Sequence, residues 1–342
     1  MRKFVIILAL LSLSDIALGE EWKMLVNLRG QWKFKLGDDK RWAGQKYDDT
    51  KWDEIFVPAY WEDEGYPGYD GLAWYRKHFR VSPDLRNKVL YIHVGAVDDV
   101  SDVYVNGHFV SFTGSFPPHF ITAYSIDQKF QIPAEFLNFS GYNVIAVRVY
   151  DDQRGGGIAK GKPGIFEMED YLYPDFPITN GCKFQKGDDK EWAQPGIDDS
   201  HWLDFVVPMY WEVQGFKDYD GFGWYRVRFT IPQKFRDQDL ILLVGKVDDA
   251  DETYLNGDRI GYTGGTHIKG DEYRKLRAYT VPSSRMKFGE ENVLAVRVYD
   301  NFLGGGIYDG PVGFVTRERY KEWARTHTMK ENNRWDFWDL FK

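Results

Sequence analysis

Cysteine occurs once, at Cys182, so the chain forms no internal disulfide and must be held together by burial. Positive charge is in short supply: 44 Lys and Arg stand against 52 Asp and Glu, a net charge of −8. Phosphate recognition needs a basic surface, so nucleic acid is not an expected partner. Beyond the N-terminus no apolar run is long enough for a membrane helix, and no integral membrane contact is expected. The seven His residues are scattered and form no recurring pattern. There is no Gly-x-Ser-x-Gly elbow, no His-Glu-x-x-His helix and no P-loop, which removes the serine-hydrolase, zinc-protease and nucleotide-hydrolase classes as those motifs define them.

Aromatic residues, by contrast, are plentiful, with 13 Trp and 22 Tyr. They serve sandwich cores and ligand-stacking surfaces equally well. The most informative feature is a duplication. Trp42, Asp48, Asp49 and Trp52 return as Trp192, Asp198, Asp199 and Trp202, and Gly95, Asp98 and Asp99 return as Gly245, Asp248 and Asp249, 150 residues later. Tyr150, Asp151 and the triple glycine Gly155 to Gly157 return as Tyr299, Asp300 and Gly304 to Gly306, 149 residues later. A period this long is a domain, since each copy can bury its own core.

The division that follows is residues 1–19 as a signal peptide, 20–170 as copy 1, 171–316 as copy 2 and 317–342 as a C-terminal tail. Arg2 and Lys3 give the first segment a positive start, Phe4 to Leu13 an apolar run too short to span a bilayer, and Ala17 to Gly19 a small-residue cleavage site. Export to a periplasmic or extracellular location is therefore expected. Between the copies, Tyr171, Leu172, Tyr173 and Phe176 make the connection too apolar for a free linker, so it should pack against both domains. The tail is first charged and helix-compatible, then rich in aromatics at Trp335, Phe337, Trp338 and Phe341. It either folds back on a domain surface, docks a partner or contacts a membrane interface.

Within each copy the pattern is β. Val89 to Val94, Val103 to Val105 and Val144 to Tyr150 are β-branched and aromatic runs, as are Leu240 to Val244, Thr253 to Leu255 and Val293 to Tyr299. Asn106-Gly107 and Asn256-Gly257 are type I′ hairpin turns between short strands. Regular short strands with turn signals predict an all-β chain of two tandem jelly-roll sandwiches. Cys182 stands where copy 1 has Trp32 and reads as a small buried apolar residue.

The ordered series Phe184, Gly187, Asp188; Asp198, Asp199, Trp202; Val207, Pro208, Trp211, Glu212; Asp220, Gly221, Trp224, Tyr225, Arg226, Phe229; Val247, Asp248, Asp249, Tyr254, Asn256, Gly257; and Asn292 to Arg297 resembles the sugar-binding domain of glycoside hydrolase family 2. Copy 1 repeats the set from Gly30 to Gly164. Similar galactose-binding-like jelly rolls accompany sialate O-acetylesterases and β-galactosidase-like and β-glucuronidase-like proteins. The resemblance implies carbohydrate as the ligand and an accessory role. Family 2 hydrolases carry their carboxylate pair on a TIM barrel of about 250 residues, for which two sandwiches leave no room here. No Asn-Glu dipeptide and no Gly-Asp-Ser block occurs. No catalytic residue is assigned, and a non-catalytic binding protein is expected. The alternatives are a glycosidase with an unrecognised carboxylate pair, and a subunit that docks a separate hydrolase through its tail.

Sugars are held by aromatic faces and by planar polar groups that bridge hydroxyls. Two loops per copy offer both. The candidates are Trp61, Glu62, Tyr69, Asp70, Asp151 and Arg154 in copy 1, with Trp211, Glu212, Tyr219, Asp220, Asp300 and Asn301 in copy 2. Trp74 and Trp224, with Arg76 and Arg226, lie on strands where core packing and an Arg–Asp pair suffice to explain them. Asp48-Asp49 and Asp198-Asp199 read as turn formers. The acids Asp98-Asp99 and Asp248-Asp249 are adjacent on extended chain, so their side chains should diverge and cap turns. No cofactor is expected from the motifs. Carbohydrate-binding jelly rolls resembling these often hold a structural Ca2+ among loop carboxylates and carbonyls, so a bound Ca2+ stays open, although no full ligand set can be read from the sequence.

Overall fold

In the computed structural model, residues 22–124, 126–264 and 272–326 are described. The segment read as a signal peptide and the aromatic part of the tail lie outside them.

Copy 1 runs through β1 (Trp22–Asn27), β2 (Gly30–Leu36), β3 (Asp53–Val57), β4 (Gly71–Phe79), β5 (Leu90–Asp98), β6 (Val100–Val105), β7 (His108–Thr113), β8 (Asp127–Ile132), β9 (Asn143–Asp151), β10 (Gly157–Lys160) and β11 (Gly164–Met168). Copy 2 follows with β12 (Phe176–Pro177), β13 (Lys183–Lys186), β14 (Leu203–Asp204), β15 (Gly221–Thr230), β16 (Leu240–Asp248), β17 (Ala250–Leu255), β18 (Asp258–Thr263), β19 (Leu276–Val281), β20 (Glu291–Asp300) and β21 (Gly306–Thr316). One sheet of copy 1 has the order β3-β2-β4-β9-β6-β7, and copy 2 reproduces it as β14-β13-β15-β20-β17-β18. The opposing sheet places β5 between β8 on one side and β10 and β11 on the other, with β1 outermost; copy 2 has β12-β21-β16-β19. All pairings are antiparallel, and the two jelly-roll sandwiches share one topology.

Alternation builds each core. On β4, Ala73 and Tyr75 point between the sheets, where Trp32, Phe34, Ile92, Val147 and Ile165 meet them. Trp74 and Arg76 point the other way and are nonetheless fully buried, because the turn at Trp42-Ala43 and the ring of Trp52 close over that outer face. Arg76 donates to Asp49 at 2.7 Å and to the carbonyls of Trp42, Gly44 and Tyr47, so its charge is paired and its N–H groups are used. Arg226 pairs with Asp199 in the same way at 2.8 Å and donates to the carbonyls of Trp192 and Gln194. The second acid of each Asp-Asp pair is thus a core counter-ion rather than a turn former; only the first caps a turn, with Asp48 accepting from the N–H of Thr50 and Asp198 from that of Ser200.

Asn106 and Gly107 adopt φ of 53° and 89°, which is the left-handed pair a type I′ turn demands, and Asn256 and Gly257 match them. Cys182 is buried, and burial pushes its thiol up to about 12, consistent with packing rather than nucleophilic chemistry.

Leu172 is buried against Ile241, Leu243 and Val315, while the Tyr173 hydroxyl accepts from the N–H of Val89 in copy 1. Residues 317–326 form a helix whose Tyr320 and Trp323 pack on that same Leu172 cluster, and the Trp323 indole donates to the carbonyl of Asp170. The copies also touch directly: Tyr91 donates to Asp309 at 3.0 Å, and Phe112 meets the edge of Tyr210 at 5.7 Å. A crevice of about 80 Å³ lies beside these contacts, lined by Ser111 and Phe130 on one side and by Tyr210 and Tyr308 on the other.

Candidate functional site

The sheet change between β5 and β6 creates a corner in each copy. Asp98 ends β5, Asp99 stands at the corner, and β6 begins in the opposing sheet at Val100. The neighbouring strand β9 ends on Asp151 at the same end of the sandwich. One oxygen from each of Asp98, Asp99 and Asp151 lies within 4.8 Å of the others, and Asp248, Asp249 and Asp300 form the same group in copy 2. Divergence of the adjacent acids, expected for extended chain, does not occur. The chain bends at the corner, and in copy 2 Asp249 takes a left-handed φ of 57°, which swings its carboxylate back toward that of Asp248.

Asp99 is held by the Thr122 hydroxyl at 2.5 Å and by the N–H of Asp152 at 2.9 Å. Asp249 likewise accepts from the N–H of Asn301 at 2.9 Å. Asp151 is 0% exposed, and neither of its carboxylate oxygens has a hydrogen-bond partner; the same holds for Oδ2 of Asp300. Burial first, and then the neighbouring acids, push Asp151 up to about 8 and Asp98 up to about 6. Asp248 is pushed up to about 8 and Asp300 to about 7, again with burial as the leading cause.

The first candidate loop contributes scaffolding. Trp61 and Trp211 are fully buried and offer no face to a sugar, which corrects the stacking role expected of them. Their rings lie directly under the triple glycine: a Cβ on Gly156 would sit 2.1 Å from Trp61, and one on Gly305 2.0 Å from Trp211. Glycine is required there for close approach. Glu62 accepts from the N–H of Gly156 at 3.1 Å, and Glu212 accepts from that of Gly305 with both oxygens, so each fastens the glycine loop to the Trp loop. Burial raises Glu212 to about 9. Tyr69 and Tyr219 are half-buried against those Trp rings and donate to the carbonyls of Leu72 and Phe222, both at 2.8 Å.

Asp151 and Asp300, expected as loop contacts for sugar, instead terminate strands and face inward. Asp70, Arg154, Asp220 and Asn301 are exposed at the rims. Sequence reasoning did not single out Tyr60 and Tyr124. Tyr60 lies beside Tyr124, near Asp98 and Glu62, and Tyr124 is 54% exposed. Tyr150, edge-on to Phe120 at 5.6 Å and donating to Asp152, continues this aromatic rim. Tyr60 and Tyr150 had a usable signal, their recurrence as Tyr210 beside Trp211 and as Tyr299. In copy 2 the corresponding rim is engaged: Tyr210 stacks on Tyr308 at 4.8 Å and meets Phe112 of copy 1.

Comparison with known proteins gives a consistent picture. Residues 37–154 match the family model described as the β-galactosidase second all-beta domain. A β-glucuronidase of Formosa agariphila is 27% identical over 164 residues, covering 42% of this chain and 15% of the relative. A β-galactosidase of Thermoanaerobacter pseudethanolicus is 35% identical over 98 residues, covering 28% of this chain and 11% of its own length. Among solved structures, a family 2 glycosyl hydrolase from Bacteroides cellulosilyticus aligns over 81% of this chain and 32% of its own, at 17% identity and a TM-score of 0.36. The chain thus spans only a small part of the curated relatives it matches. It is an all-β domain protein related to glycoside hydrolase family 2.

Proposed function

We propose that this chain is an exported carbohydrate-binding protein that works beside a separate glycoside hydrolase, and that its sugar site is the open rim of copy 1. The observation that carries this reading is the rim itself. Tyr60 lies beside Tyr124, Asp98 and Glu62, Tyr124 is exposed and Tyr150 donates to Asp152, a combination of apolar face and planar polar groups of the kind that sugars require. Kinship with β-galactosidase and β-glucuronidase domains supports a β-linked hexose as the ligand class. The rim is mainly acidic, which suits hydroxyl donors and repels a uronate, so neutral hexosides are favoured. The matching rim of copy 2 is occupied by Tyr308 and by Phe112 of copy 1, and we assign it no ligand.

A binding role fits the carboxylates better than a hydrolytic one. Hydrolytic pairs face each other across the scissile bond, about 5–5.5 Å apart in retaining and 6.5–9.5 Å apart in inverting enzymes. Here the acids converge on one point from the same end of one sandwich. The test is a glycan array probed with the purified protein and with Tyr124→Ala, run beside an aryl-glycoside assay. Hexoside binding that is weakened at least tenfold by the substitution, without turnover, is expected. Turnover lost on changing Asp98 or Asp151, or no glycan bound at all, would overturn the proposal.

A further inference from the structure

We infer that a groove on the outer face of copy 2 is the docking site of the chain's own C-terminal segment, Trp335 to Phe341, which lies outside the described residues. The groove runs over β15, β20, β17 and β18 and offers about 210 Å³ between Phe222, Glu252, Arg259, Tyr262, Arg297 and Tyr299. It lies on copy 2, apart from the sugar rim of copy 1, and no member of the acidic triads Asp98, Asp99, Asp151 and Asp248, Asp249, Asp300 lines it.

The same face of copy 1 is covered by the chain itself. Phe116, from the loop after β7, lies over the Arg148 guanidinium at 4.0 Å, Phe120 meets Tyr150 edge-on at 5.6 Å, and Phe112 is met by Tyr210 of copy 2. Copy 2 keeps Arg297 and Tyr299 and has Tyr262 where copy 1 has Phe112, but the positions that match Phe116 and Phe120 hold Thr266 and Gly270, which carry no ring. Phe222 stands where copy 1 has Leu72; it lies over Arg297 at 4.0 Å and makes good one of the missing rings. Tyr299 and Tyr262 are left to line the groove, and Tyr262 is 64% exposed. Adjoining exposed rings of this kind mark a surface that something covers.

Residues 335–341 read Trp-Asp-Phe-Trp-Asp-Leu-Phe, rings with two carboxylates set among them. The groove presents the complement, aromatic faces beside a guanidinium that still has N–H groups to give. Arg297 is committed to Asp188 and Glu252. Arg259 reaches Glu252 only at 3.5 Å and its side chain is 53% exposed, while Glu252 is already held by Lys190 at 2.7 Å. Among the described residues Arg259 has no closer acidic partner, so Asp336 or Asp339 finds in it the planar fork that a carboxylate pairs with best. On a chain of net charge −8, few surfaces welcome an acidic segment in this way.

Reach favours the same occupant. The helix at 317–326 tethers the segment to copy 2: the apolar cluster beneath it includes Leu276 and Ala278 of β19, and β19 meets β18 where the hydroxyls of Tyr279 and Thr263 stand 2.8 Å apart. Trp335 follows Thr326 by nine residues, a span of about 30 Å when extended, whereas two packed sheets are only about 10 Å apart. A linker this short holds the segment at an effective concentration of the order of millimolar, so a chain's own tail displaces that of a second chain. Docking there would complete copy 2 as Phe116 and Phe120 complete copy 1.

Hydrogen–deuterium exchange of the full chain, without any glycan, tests this, with the amides of β20 as the internal control that the sandwich is folded. The amides of 335–341 are expected to exchange at least about tenfold more slowly than in an unfolded chain, at low and at high chain concentration alike. Tyr262→Ala and Arg259→Glu, both at exposed side chains, should return them to the unfolded rate while β20 stays protected. Asp336→Arg with Asp339→Arg should do the same, and joining that pair to Arg259→Glu should restore protection, because the signs are then exchanged. Unprotected amides in the parent, or protection that survives Tyr262→Ala, would overturn the proposal. So would protection gained only at high concentration, which would make a second chain the occupant.

Discussion

At the scale of single residues, the least replaceable charges are those no solvent reaches. Arg76 has no exposed side-chain surface and holds Asp49, three carbonyls and the packing of Trp52 around it. Arg76→Met should lower unfolding free energy by about 3–5 kcal/mol, because the buried Asp49 would lose its guanidinium and keep only the His78 ring as a side-chain partner. Adding Asp49→Asn should recover part of that loss in urea denaturation, since both charges are then gone. His93 makes a complementary prediction. It is buried between Trp22 and Phe166, with ring centroids at 4.6 and 3.9 Å, and its Nε2 has no partner. Burial, then Lys129, lowers it to about 3. An unfolded His binds a proton near pH 6.5, whereas the folded one refuses it, so the unfolded state gains protons as pH falls and stability declines from about pH 6.5 downward. His93→Phe should remove this penalty. The variant should gain on the parent by roughly 2 kcal/mol at pH 5 relative to their difference at pH 8, read from paired urea curves.

At the scale of elements, the strands and hairpins were legible because their signals are local. Asn-Gly dictates its turn wherever it stands, and alternation on β4 assigns Tyr75 to the core without any partner being known. The candidate site was legible only in part. Trp61 looks like a stacking platform in sequence, since nothing local tells a loop tryptophan over solvent from one under a glycine loop. The triads were hidden for a related reason: Asp151 lies 52 residues from Asp99, and only the meeting of β5 and β9 brings them together. The repeat itself was the one available clue, as all three positions recur. The close fit of loop and ring predicts that Gly156→Ala, which sets a Cβ 2.1 Å from the Trp61 indole, destabilises by about 1–3 kcal/mol or more. Gly196→Ala, with nothing within 4 Å, should be close to neutral in the same assay.

At the scale of the whole molecule, duplication has produced two equal scaffolds with unequal surroundings. Copy 2 turns its Tyr210 rim toward Phe112 of copy 1, while the connection and the helix at 317–326 share one apolar cluster on its outer sheet. Copy 1 keeps the same end open, with Tyr124 exposed. One sugar site per chain is therefore expected, although the domain occurs twice. Isothermal titration of the purified chain with a neutral methyl β-hexoside tests this most directly. Saturation at one ligand per chain, abolished by Tyr124→Ala and unchanged by Tyr210→Phe, is the predicted result. Saturation at two ligands per chain, or binding indifferent to Tyr124→Ala, would contradict it.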